Sequence, residues 1–258
     1  MRPSRIRARL RRNEVVRFGC LYYPPAMMPA HAALAGLDAL WLDAEHGTWD
    51  RREIQRMIAL HHLAGIDCLV RTGSRNATEL YHLLEDGASA LMIPLVNTPE
   101  EAKWLVKAVK FPPMGERGVD GASLDNEFYV RGTEGYFAAA NAETVLVVQI
   151  ETPEALANVE AIAAVPGIDG LFLGPGDLGL RLGCFGNWEH PLMREAHARI
   201  AAAAAKHGVA WGRPTRGPDD IRQLAASGAR LIANGSDFSG VAAVMAQSGK
   251  NFREALGS

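Results

Sequence analysis

Glu151 and Asp177 each sit at the tip of an apolar run. VLVVQI, residues 145–150, is a short β-branched segment of the kind that fills a parallel strand buried on both faces, and Glu151 closes it. GLFLG, residues 170–174, is a second such run, with Asp177 just past its end. Between them, Thr152 reads as a helix N-cap and Pro153 as the first helical residue. Pro166-Gly167 reads as a stop, so the spacing predicts one helix running to about Val165. The right-handed crossover of such a β-α-β unit makes its strands parallel neighbours, roughly 5 Å apart. Both carboxylates then share one sheet edge, where they can share a divalent cation. Gly174-Pro175-Gly176 leaves the backbone open beside them, and the amides of Gly176 and Asp177 can face an anion. The combination suits chelation of a small 2-oxo acid. The alternative is that Glu151 only caps the following helix and Asp177 is a solvated loop acid.

Further groups stand at other strand tips. In Leu42-Asp43-Ala44-Glu45-His46-Gly47, the three ionisable side chains are a metal site of their own, or His46 is a general base oriented by a carboxylate, or His46 is a hydrogen-bonded structural residue. In an extended segment Asp43 and Glu45 share a face and His46 points away, which favours the base over a third ligand. Arg71 ends the run CLVR, and an arginine aimed into a barrel mouth needs an anion: a structural acid, or an oxyanion formed during reaction. Arg213, after a glycine in VAWGRP, either reads a charged or polyhydroxylated aldehyde or pairs with an acid on a neighbouring helix or subunit. The adjacent His61 and His62 read as structural.

The elements that must position these residues are legible as eight runs: 15–22, 39–43, 68–71, 90–96, 145–151, 170–175, 209–214 and 231–237. Helical segments separate most of them, and the expected fold is α/β, a single (β/α)8 TIM barrel over residues 1–258 with a leading helix. Asp43, Arg71, Glu151, Asp177, Arg213 and Asp237 then fall at strand C-termini, the edge that carries active sites in this fold. A polar, Gly-rich insertion at 112–144 is a lid or a surface excursion. The basic start, RPSRIRARLRR, reads as a solvated helix face, because no apolar targeting segment follows it. A net charge of −2 gives no electrostatic case for nucleic acid, and no apolar run reaches membrane-spanning length. Three widely spaced cysteines without a C-x-x-C suit a reducing cytoplasm.

LWLDAEHG, LVRTG, EDGASALMIPLVNTPEEA, PPMGERG, VQIET and GIDGLFLGPGDLG occur in that order. Together they resemble the metal-dependent (class II) pyruvate aldolases of the 4-hydroxy-2-oxoheptanedioate aldolase family, within the phosphoenolpyruvate/pyruvate superfamily. The likeness runs from about Phe18 to Asp237. It implies a (β/α)8 barrel assembled as a trimer of dimers, a homohexamer whose subunits exchange a C-terminal helix. It implies that Glu151 and Asp177 bind the metal, that Gln149 contacts water or pyruvate, and that the Gly176 and Asp177 amides take the pyruvate carboxylate. Arg71 would stabilise the enolate oxygen, and His46 would be the base, held by Asp43 and Glu85. This chain departs from the family where Glu85 replaces a common aspartate, where GPGDLG replaces GPADLS, in a GERGVDGAS one residue longer than usual, and at Trp211–Thr215, where apolar residues are usual.

The expected reaction is reversible cleavage of a 4-hydroxy-2-oxo acid to an aldehyde and pyruvate or a close 2-oxo acid such as hydroxypyruvate. A cation (Mg²⁺ or Mn²⁺, with Co²⁺ and Zn²⁺ as substitutes) polarises the ketone, and the enolate is held by the cation and Arg71. No lysine ends any of the runs, which argues against a Schiff-base aldolase. The rival readings are a CoA-thioester C–C lyase, a 2-oxo-diacid decarboxylase, and a non-catalytic barrel that binds a 2-oxo acid.

Overall fold

The computed structural model describes residues 1–130 and 132–257; Arg131, inside the insertion, and Ser258 lie outside the described residues. All eight expected strands form: β1 (Val16–Leu21), β2 (Ala39–Asp43), β3 (Asp67–Arg71), β4 (Ala90–Ile93), β5 (Val145–Ile150), β6 (Gly170–Leu173), β7 (Ala210–Pro214) and β8 (Leu231–Ser236). Each pairs in parallel with the next, and β8 pairs with β1, closing the barrel. The helices are α1 (Arg5–Arg11), α2 (Met28–Leu34), α3 (Arg51–Ala64), α4 (Ala77–Glu85), α5 (Pro99–Val109) and α6 (Tyr136–Glu143), then α7 (Pro153–Ala157), α8 (Val159–Ala163), α9 (Pro175–Arg181), α10 (Pro191–His207), α11 (Pro218–Ala226) and α12 (Asp237–Leu256).

Strand alternation divides the core in two. Phe18, Trp41, Leu69, Val147 and Phe172 point into the barrel, whereas Leu42, Val70, Val148, Leu171 and Trp211 pack outward under the helices. Inside, the Phe172 ring lies 6.0 Å from Phe18 and 5.7 Å, edge-on, from Trp41, so the barrel is filled and its mouth has an aromatic floor. Local signals fix the helices: Asp50 and Glu53 form a capping box on α3, Gly65 ends it at φ +68°, Thr98 caps α5, and Thr152 caps α7 as expected. The single helix expected after β5 is instead broken at Asn158, whose side chain donates to the Asn97 carbonyl at 2.8 Å. That bond ties the break to the loop after β4.

Three further expectations are changed or sharpened. The basic leader is not a solvated face: α1 lies at the N-terminal end of the barrel, with Ile6 fully buried in the interior core. Three of its four arginines are paired, Arg7 with Asp169 at 2.7 Å, Arg9 with Asp38 at 3.1 Å and Arg11 with Glu143 at 2.8 Å, and Arg2 just before it reaches Asp67 at 2.9 Å. The insertion is no lid over the strand tips. Asp125 lines a crevice with Met1, Arg2 and Ser4, at the opposite end of the barrel, and is held by Arg117 at 2.7 Å and the Tyr136 hydroxyl at 2.6 Å. Finally, α12 buries none of its residues and exposes Phe238, Val241, Val244, Met245 and Phe252, whose steps of three, three, one and seven residues keep them near one side of the helix. Among the described residues no helix is long and apolar enough to cross a membrane, and Cys20, Cys68 and Cys184 are free and buried.

Candidate active site

Asp43 and Arg71 are direct partners across β2 and β3, both pointing inward at the strand tips. The Arg71 fork donates to Asp43 through Nε at 2.9 Å and Nη2 at 2.5 Å, and its guanidinium stands 4.7 Å above the Trp41 ring. Burial opposes the Arg71 charge, but the hydrogen bonds and charge of Asp43, followed by Glu45 and Glu151, outweigh it and raise the pKa further. With one edge occupied, Nη1 is left for the mouth, where it meets Gln149 Oε1 at 3.3 Å and lies 3.2 Å from Glu45 Oε2.

On β5 the same alternation turns Gln149, and Glu151 just beyond the strand, inward; both are buried. Glu151 Oε1 accepts the Leu95 amide at 2.8 Å. A Cβ at Gly174 would collide with Glu151 Oε2, so that glycine makes room for the carboxylate itself, while the space around Gly176 is open. Gly176 and Asp177 lie in the first turn of α9, where amides have no intrahelical acceptor and can meet an anion. Asp177 is half-exposed, and Arg181 donates to its Oδ1 at 2.5 Å.

Glu151 is a buried acid with other acids near it. Burial, reinforced by the charges of Asp177 and Glu45, pushes its pKa up to about 6, with the Leu95 amide and Arg71 opposing. Bound positive charge would relieve that repulsion. No cluster of three or more metal-ligating side chains occurs among the described residues, so a cation here would take Glu151 and Asp177 from the protein and its other ligands from substrate and water.

The remaining expected residues are placed less as the sequence suggests. The segment after Asp43 is a turn, not an extension: Asp43 Oδ1 accepts the amides of Glu45 and His46, both at 3.2 Å. Asp43 therefore holds Arg71 and this turn, not the imidazole. The turn folds Glu45, offered from sequence only as a metal ligand with Asp43 and His46, back to within 3.7 Å of His46 Nε2, so Glu45 is the acid beside the histidine. The His46 side chain is 59% exposed and lines a cavity at the mouth. Glu85 is not brought to His46 within this chain. It ends α4, which runs back to the N-terminal end of the barrel, and its charged neighbours there are Arg117, His82 and Asp125. Arg213 shares the outward parity of Trp211. It is bound to Asp220 of α11 at 2.6 and 2.8 Å and lies 5.0 Å from the Trp188 ring, outside the barrel mouth. Asp237 accepts the amides of Tyr22 and Tyr23 at 3.0 Å each and so ties the start of α12 to the segment after β1.

A (β/α)8 barrel that gathers buried carboxylates, an arginine and an exposed histidine at its strand tips has the layout of an enzyme active site. The sequence profile of the HpcH/HpaI aldolase/citrate lyase family matches residues 22–243, and the chain belongs to that family. It is 38% identical over 204 residues to the hydroxypyruvate/pyruvate aldolase of Sagittula stellata, covering 78% of this chain and 79% of that protein. It is 39% identical over 207 residues to the 4-hydroxy-2-oxovalerate aldolase of Novosphingobium aromaticivorans, covering 78% and 76%. The crystal structure of the HpcH/HpaI aldolase from Desulfitobacterium hafniense superposes with a TM-score of 0.91 over 96% of each chain, at 29% identity.

Proposed function

We propose that this chain is a class II pyruvate aldolase that reversibly cleaves 4-hydroxy-2-oxo acids to an aldehyde and pyruvate or a close 2-oxo acid. The observation that carries this reading is the convergence of Glu151, Gln149 and the free edge of Arg71 at one barrel mouth, with Arg71 Nη1 3.3 Å from Gln149. Glu151 and Asp177 would hold a divalent cation, Mg²⁺ or Mn²⁺, with Co²⁺ or Zn²⁺ as substitutes. When bound it supplies Lewis acidity to the substrate ketone. The open first turn of α9 at Gly176 and Asp177 receives the 2-oxo acid carboxylate, and Arg71 Nη1 faces the C2 oxygen. His46 Nε2 takes the proton of the C4 hydroxyl, with Glu45 stabilising the imidazolium. The C3–C4 bond breaks, its electron pair moves to the C2 oxygen beside Arg71, and the aldehyde departs. Proton return to C3 completes pyruvate.

The assembly expected of this reading is a homohexamer, a trimer of dimers exchanging α12. Two observations support exchange: α12 buries nothing on its own barrel, and an apolar cavity of about 270 Å³ lined by Leu21, Met28, Ala32, Leu37 and Leu40 stands open beside β8. Three buried free thiols suit a cytoplasmic location.

Comparing His46→Ala with wild type tests the assignment. Aldol cleavage should be abolished while decarboxylation of oxaloacetate, which has no C4 hydroxyl to deprotonate, partly survives. Equal loss of both activities would move His46 from proton transfer to substrate binding.

A further inference from the structure

The mouth holds a second chamber beside the place where Glu151, Gln149 and Arg71 converge. It is a cavity of about 360 Å³ between the ends of β1 and β2 and the start of α12, walled by Tyr22, Tyr23, His46, Thr48, Ser236 and Phe238. Its position is fixed by backbone bonds: Asp237 holds the Tyr22 and Tyr23 amides at 3.0 Å, and the Tyr22 carbonyl accepts the Thr48 amide at 3.0 Å. Tyr22 also connects it to the reaction centre. Leu21 is the register partner of Leu42, so Tyr22, the next residue, stands beside Asp43 at the strand tips.

His46 belongs to both spaces. Its Nε2 is 3.7 Å from Glu45, which lies 3.2 Å from Arg71, and its ring lines the chamber. A substrate whose C2 oxygen meets Arg71 and whose C4 hydroxyl meets His46 has this chamber open to the groups beyond C4. The walls there are three aromatic rings and two small hydroxyls. No Lys, Arg, Asp or Glu lines the chamber among the described residues, and Arg213, the cation that could have read an anionic tail, is bound to Asp220 outside the barrel. A carboxylate entering such a space would lose water without gaining a fixed partner, whereas an aryl or alkyl group gains ring contacts.

Resting on the aldolase reading, we infer that the chamber beside His46 is the acceptor subsite and that Tyr22 and Phe238 select uncharged aldehydes with an aromatic or extended apolar tail. The experiment measures kcat/KM in the aldol direction, with pyruvate and Mn²⁺, for 3-phenylpropanal, butanal and succinic semialdehyde. Wild type should favour 3-phenylpropanal over succinic semialdehyde by at least about tenfold, the scale of one well-formed apolar contact. Phe238→Ala, compared at the same oligomeric state as wild type because Phe238 also stands on the exposed stripe of α12, should lower the 3-phenylpropanal value several-fold more than the butanal value. Tyr22→Ala should shift the same ratio. A wild-type preference for succinic semialdehyde, or variants that slow all three aldehydes by one factor, would overturn the assignment. Exchange of the pyruvate C3 protons with D₂O, followed by NMR on wild type, keeps the two levels apart. Exchange without the predicted selectivity refutes the chamber alone; absence of exchange refutes the aldolase reading beneath it.

Discussion

Replacing Arg213 with leucine should cost stability and leave aldehyde choice unchanged. The guanidinium makes hydrogen bonds of 2.6 and 2.8 Å to Asp220 and one of 2.8 Å to the Pro214 carbonyl, lies against Trp188, and has a side chain only 8% exposed. Removing one partner of a buried ion pair costs about 3–5 kcal/mol. Asp220 is 21% exposed and keeps the Arg216 amide at 2.9 Å, so part of its charge remains solvated or bonded, and the expected loss falls to about 2 kcal/mol. For a chain of this size that lowers Tm by about 4–8 °C. The loss should also depend on pH. The Arg213 hydrogen bond is the largest influence holding the Asp220 carboxyl below its usual range. An acid depressed in this way contributes stability that is present above its unfolded pKa and disappears as pH falls through the folded one. Thermal melts of wild type and Arg213→Leu should thus differ fully near neutral pH and converge in acid. Kinetics with the three aldehydes named above should show no change in their ratios. An unchanged Tm together with a selective loss for succinic semialdehyde would refute this account and return Arg213 to the substrate.

Arg71→Lys and Arg71→Ala should both remain folded and lose about 10² to 10³ in turnover, because a lysine cannot hold Asp43 with one edge and face the C2 oxygen with the other. Near-normal turnover with a much lower Tm would instead make Arg71 a structural partner of Asp43. Activity should disappear with a chelator and return with Mg²⁺ or Mn²⁺, and Mn²⁺ affinity should fall as pH drops through about 6, where Glu151 takes up a proton. The metal-free protein should move the other way at this group, since a raised acid destabilises when charged and that cost is relieved as pH falls. A Mn²⁺ affinity flat between about pH 5 and 7.5, or full activity in metal-free protein, would remove Glu151 from the metal site.

What the sequence disclosed follows from the range of the interactions involved. Strand runs and helix caps are local, and β2 matches its expected span at both ends, Ala39 and Asp43. β4 stops at Ile93, not at 96, because Leu95 turns left-handed at φ +52° and gives its amide to Glu151, a partner far along the chain. Period-two alternation along VLVVQIE carries Gln149 and Glu151 to the same inward face as Val145 and Val147, so that half of the site was readable. On β7 the rule is equally strict but the anchor is ambiguous. A tryptophan can be buried on either side of a barrel wall, and only the contact of Trp211 with the outer core shows that Arg213 faces the helices. That Glu85 lies far from the His46 of its own chain follows from direction alone, since a helix leaving a strand tip carries its last residue to the far end of the barrel. Glu45 was hidden for the opposite reason. Its approach to Arg71 depends on a turn made by the Asp43 side chain, and the same carboxylate must also hold Arg71 for that turn to aim at the site. The N-terminal arginines lie at the limit of local reading: a helix with four arginines in seven residues looks solvated until acids at 38, 143 and 169 are folded against it.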